Sequence, residues 1–83
     1  MITIKVTNQV GLHARPAAVF ATEAKKFTSA ISVIKDGSTY NGKSPMMIMA
    51  AGIACGDTII IKAEGADAKE AELALAECVK RLE

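Results

Sequence analysis

The chain has one histidine in 83 residues, His13, and it sits in the stretch Gly11-Leu12-His13-Ala14-Arg15-Pro16-Ala17. An imidazole can carry a proton or a phosphoryl group near neutral pH, and its neutral ring nitrogen is a nucleophile. The flanking residues describe a helix start. Gly11 lets the backbone turn. Pro16 fixes φ near the helical value and lacks an N–H that an opening helix leaves unpaired anyway. With His13 at the N-cap, the N–H groups of Ala14, Arg15 and Ala17 are expected to point out of the helix end as free donors. The positive end of the helix and the Arg15 guanidinium both suit phosphate oxygens. A lone histidine at a helix start is more often a cap or a solvated side chain; these neighbours favour a ring that accepts a phosphoryl group. Phosphohistidine is itself a high-energy donor, so onward transfer follows. His13 has no nearby Cys, Asp or Glu to complete a zinc site. There is no nucleophile elbow and no glycine-rich nucleotide loop, so neither metal nor cofactor is expected.

The elements that must position this segment follow from periodicity. Ile2, Ile4 and Val6 alternate with polar residues and predict a strand. Ala17, Phe20, Ala21, Ala24 and Phe27 fall at helical spacing and predict a helix over 14–26 with that face inward, and with Glu23, Lys25 and Lys26 toward water. Residues 30–35 read as a second strand. Asp36-Gly37 is a hairpin turn, and 38–41 is the returning edge strand. Ser44-Pro45 opens a short helix over 45–51, with Ser44 as N-cap, Pro45 at the first helical position and Gly52 as terminator. On that helix Ile48 is expected in the core, with some of Met46, Met47 and Met49 exposed beside His13 as an adaptable apolar patch. Three consecutive isoleucines in 58–63 suggest a central strand covered on both faces. Asp67 is the expected N-cap of a last helix over 68–82, whose stripe is Ala71, Ala74, Leu75, Cys78 and Leu82. The order β-α-β-β-α-β-α fits an α+β open-faced sandwich, three helices on one face of a four-stranded antiparallel sheet, and is also compatible with a ferredoxin-like arrangement.

Bulk properties set the class. The chain reads as one domain over 1–83, and a hydrophobic fraction of 51% implies a folded globule. A net charge of +1 carries no nucleic-acid footprint. Cys55 and Cys78 form no framework and read as reduced thiols, one in a loop and one in the core. No apolar run reaches the ~20 residues of a membrane span, and the N-terminus lacks signal-peptide features. The expectation is a complete, cytoplasmic, monomeric protein.

The His13 motif, followed by Gly42-Lys43-Ser44-Pro45-Met46-Met47, Gly52-Ile53-Ala54, the 58–63 strand and Gly65-Ala66-Asp67, resembles the histidine-containing phosphocarrier (HPr) family of the bacterial phosphoenolpyruvate-dependent sugar phosphotransferase system. The resemblance covers essentially the whole chain. It implies that His13 is phosphorylated on Nδ1 by Enzyme I, which draws on phosphoenolpyruvate. His13 then passes the group to the IIA domain of a sugar permease, with Arg15 stabilising the phosphate. Such a protein is a carrier with a transient phosphohistidine rather than an independent enzyme. The resemblance also implies a docking surface from Ala18, Ala21, Thr22 and Lys25 of the first helix with the methionines of the short one. In Gram-positive members the serine matching Ser44 is phosphorylated by the ATP-dependent HPr kinase/phosphorylase. That implies an alternative role as a regulatory interaction protein docking a catabolite control transcription factor. A nitrogen-related phosphotransfer chain would share the histidine chemistry and differ in partners. Three positions depart from the family pattern: Pro45 and Met47 replace an aliphatic residue and a glycine, which alters the surface a kinase would read, and Val10 replaces a small polar residue near the histidine.

Overall fold

The computed structural model describes residues 1–9 and 11–82; Val10, and with it the expected loss of a polar side chain there, lies outside the described residues. The elements run β1 (Ile2–Lys5), α1 (Ala14–Ala24), β2 (Ala30–Lys35), β3 (Ser38–Asn41), α2 (Pro45–Ala50), β4 (Thr58–Glu64) and α3 (Ala68–Arg81). The sheet order is β1-β4-β2-β3, with every pairing antiparallel. β4 thus fills the slot between β1 and β2, and the three helices lie over one face as an open-faced sandwich. This is the arrangement that forms, not the ferredoxin-like alternative.

Local chemistry explains most boundaries. Asp36 (φ 50°) and Gly37 (φ 82°) are both left-handed, as a tight two-residue hairpin requires. β4 differs from expectation. Its burial alternates, with Ile59, Ile61 and Ala63 buried and Ile60 and Lys62 half-exposed, so only one sheet face is covered. The helices supply that cover: Phe20, Ala24, Ile48, Leu75 and Val79 are all at most 2% exposed and meet the isoleucines in one core.

The start of α3 also departs from expectation. Asp67 occupies the N-cap position but makes no capping bond with its side chain. Its carboxylate instead accepts from the backbone N–H groups of Thr28 and Ser29, each at 3.0 Å, and from the Ser29 hydroxyl. The side chain therefore ties the α1–β2 turn to the β4–α3 turn. Gly65 completes the joint, since a Cβ there would stand 2.6 Å from Ser29 Oγ. These bonds favour the ionised form and lower the Asp67 pKa to about 2, the Ser29 hydroxyl contributing most. A depressed carboxyl stabilises the fold above its unfolded value of about 3.9, and the contribution disappears as pH falls toward the folded value. The carboxyls of Asp57 (through the Ala54 N–H first, then Lys35) and Glu72 (through the Ala63 N–H first) are lowered too and add in the same direction. In Asp67→Asn, the melting temperature at pH 7 should drop by roughly 5–10 °C, and its decline between pH 5 and pH 2 should be shallower than in the parent. Parallel acid profiles in the two proteins would contradict this role.

Candidate functional site

His13 is held out of the core by its neighbours on both sides. Leu12 is 1% exposed and donates its N–H to the Ile53 carbonyl at 3.0 Å. Gly11 turns with φ 65°, and its carbonyl accepts from Asn8 Nδ2 at 2.6 Å. After His13, Pro16 and Ala17 are buried against the core. His13, Ala14 and Arg15 lie between these anchors and are all exposed.

His13 is the N-cap of α1, with extended backbone (φ −83°, ψ −160°) and no capping bond from its side chain. Its carbonyl accepts from the Ala17 N–H at 2.7 Å, the first bond of the helix. This corrects one expectation: Ala17 N–H is committed to the helix and is not free for an anion. Pro16 has no N–H. The donors that the helix geometry leaves over are those of Ala14 and Arg15. α1 has no acidic residue in its first turn to occupy them.

An open cavity of about 570 Å³ adjoins the ring, lined by His13, Ala14, Arg15, Pro16, Val19, Arg81 and Leu82. Arg15 is thus brought to the same cavity as His13, as its spacing suggested. Arg81 carries no local sequence signal. It lies in the last turn of α3, and only the packing of α3 against α1 brings it here. No local motif links residues so far apart in the chain. Among the described residues no cluster of His, Cys, Asp and Glu could hold a metal ion, and no helix is long and apolar enough to cross a membrane.

The short helix α2 packs against α1. Ser44 Oγ accepts from the Met47 N–H at 3.3 Å with Pro45 following, the capping arrangement expected. Lys43 Nζ donates to the Phe27 carbonyl at 2.8 Å, tying the entry of α2 to the end of α1. Lys35 Nζ donates to the carbonyls of Ala51 (3.2 Å) and Gly52 (2.8 Å) and pairs with Asp57 at 3.2 Å, holding the other end. Ile48 is fully buried, while Met46, Met47 and Met49 are 74%, 41% and 40% exposed. On α1, Ala18, Thr22 and Lys25 are exposed. Ala21 is 1% exposed, so it belongs to the core and offers nothing to a partner. Its place on the inward stripe with Ala17 and Ala24 is the reason. Cys55 is exposed in its loop. Cys78 is buried, and burial first, then the charge of Glu23, raises its thiol pKa.

The family model described as "PTS HPr component phosphorylation site" matches residues 1–81. The phosphocarrier protein HPr of Buchnera aphidicola subsp. Acyrthosiphon pisum is 50% identical over 68 residues, covering 82% of this chain and 80% of that protein. The HPr-like protein Crh of Halalkalibacterium halodurans is 47% identical over 72 residues, 87% of this chain and 86% of that one. Among solved structures, HPr from Thermoanaerobacter tengcongensis superposes with a TM-score of 0.92 at 46% identity, over 95% of this chain and 89% of that one. Fold, motif and near full-length similarity agree, and the chain belongs to the HPr family of the phosphotransferase system.

Proposed function

We propose that the protein is a phosphoryl carrier in which His13 takes a phosphoryl group from phospho-Enzyme I and delivers it to the IIA domain of a sugar permease. The supporting observation is the exposed His13 at the N-cap of α1, sharing one cavity with Arg15 beside the unspent N–H groups of Ala14 and Arg15. In the transfer, the Nδ1 lone pair of neutral His13 attacks phosphorus. The bond from phosphorus to the donor breaks, the donor keeps that electron pair and takes up a proton, and His13 releases its Nε2 proton, so atoms and charge balance. Acceptance and donation are the same step run in opposite directions, so the chain carries a group and turns over no substrate of its own. The reading places it in the cytoplasm, with Ala18, Thr22, Lys25, Met46, Met47 and Met49 meeting both partners.

Similarity to Crh, described in Bacillus subtilis as the catabolite repression HPr, supports a second, regulatory reading, which we place at Ser44. Its hydroxyl caps α2, and a phosphate there would meet the favourable end of the helix, so the fold tolerates modification while the added charge alters docking. This reading makes Ser44 a substrate of the HPr kinase/phosphorylase and a switch for a catabolite control transcription factor.

One mass measurement tests both. Enzyme I with phosphoenolpyruvate should add a single acid-labile phosphoryl group that is absent in His13→Ala. ATP with the kinase should add an acid-stable one that is absent in Ser44→Ala. Failure of the first in the parent protein rejects the carrier, and failure of the second rejects the switch.

A further inference from the structure

The cavity beside His13 is where two helix ends of opposite sign meet. The N-terminus of α1 contributes His13, Ala14 and Arg15, and the C-terminus of α3 contributes Arg81 and Leu82. The α1 end carries partial positive charge and attracts an anion; the α3 end carries partial negative charge and repels one. A phosphoryl group on His13, with roughly two negative charges at neutral pH, would therefore face the unfavourable end of α3. Arg81 stands at that end, the last residue of the helix, exposed and without an ion pair among the described residues. Its neighbour Lys80, in the same turn, pairs with Glu77 and does not line the cavity.

We propose that Arg81 is a second cation of the phosphate site, placed across the cavity from Arg15, where it offsets the α3 terminus and binds phosphoryl oxygens. Arg15 reaches the anion from the helix that carries His13, and Arg81 reaches it from the opposite wall. Pro16, Val19 and Leu82 line the same cavity, and apolar neighbours strengthen charge–charge contacts beside them. A guanidinium suits this place because its planar fork can bind two oxygens of one phosphate. The proposal rests on His13 as a phosphoryl acceptor, and it adds a residue from the far end of the chain to that site.

The test uses the parent protein, Arg81→Gln, Arg81→Lys and the control Lys80→Gln, with two readouts. The first is inorganic phosphate titrated into the unphosphorylated proteins, followed by the NMR signals of His13 and of the arginine Nε–H groups. The second is the rate of phosphoryl acceptance from phospho-Enzyme I. Arg81→Gln should weaken phosphate binding and slow acceptance by about three- to tenfold, a charge-assisted contact reduced by solvent exposure. Arg81→Lys should recover part of both, and Lys80→Gln should match the parent. Equal values for Arg81→Gln and the parent would overturn the proposal, as would an equal loss in Lys80→Gln, which would indicate bulk charge. If phosphate binding depends on Arg81 but Enzyme I never phosphorylates the parent, the carrier reading fails while the anion site stands.

Discussion

Replacing Gly11 with alanine is expected to lower the melting temperature by roughly 10–30 °C and to remove most phosphoryl acceptance at His13. Gly11 has φ 65°, a conformation that costs an L-residue about 1–2 kcal/mol. A Cβ there would also overlap the Ile53 carbonyl oxygen and stand 2.7 Å from Ala54 Cα. Both obstacles are backbone, so neither can swing aside. Moving the loop instead would break the Leu12 N–H to Ile53 bond and the Asn8 bond to the Gly11 carbonyl, at about 1 kcal/mol each. Together these reach about 3–4 kcal/mol, a large part of the stability of a domain this size. His13 is two residues away, so the same shift misplaces the ring. Gly37 provides the control. It too is left-handed (φ 82°), but a Cβ there meets nothing within 4 Å, so Gly37→Ala should show only the conformational cost. Thermal unfolding of both variants, with acceptance measured well below their melting points, checks the argument. A Gly11→Ala melting temperature as high as that of Gly37→Ala would show that the contact with residues 53–54 is not what holds the loop.

What could be read in advance was whatever the chain encodes within a few residues. Asp36-Gly37, Ser44-Pro45 and the alternation in β1 each announce an element, because backbone conformation at those points depends on the residue itself. The His13 motif is of this kind. Other features depend on partners distant in sequence. Asp67 looks like an N-cap because aspartate before a helix commonly is one, yet Thr28 and Ser29 offer its carboxylate three donors across the fold. The isoleucine run of β4 suggests two covered faces, but the helices cover one side, leaving Ile60 half-exposed. Helical spacing puts Ala21 on the core stripe while the family resemblance puts it on the docking face, and one side chain on α1 cannot serve both. Arg81 carried no signal, since its relation to His13 exists only once α3 lies against α1.

That difference in origin also separates the two arginines by expected effect. Arg15→Gln should cut the rate of phosphoryl acceptance from phospho-Enzyme I by about 10²–10³-fold, the usual cost of removing a preorganised donor aimed at developing charge. The fold should be untouched, because Arg15 is exposed and makes no ion pair among the described residues. Its place in the first turn of α1 fixes its backbone relative to His13, and its N–H points out of the same helix end, so side chain and main chain act on one anion. Removing the side chain leaves the backbone donors of Ala14 and Arg15, which is why the loss should stop short of the complete block expected for His13→Ala. Arg15→Lys should recover charge but not the fork, and should fall between the parent and Arg15→Gln. The decisive comparison is the melting temperature beside the rate. A rate within a fewfold of the parent would remove Arg15 from the chemistry. A slow rate accompanied by a lowered melting temperature would instead make it a residue that holds the helix start. Since α1 begins on the His13 carbonyl and the buried Pro16 and Ala17 without help from the guanidinium, the expected outcome is a normal melting curve with transfer nearly gone.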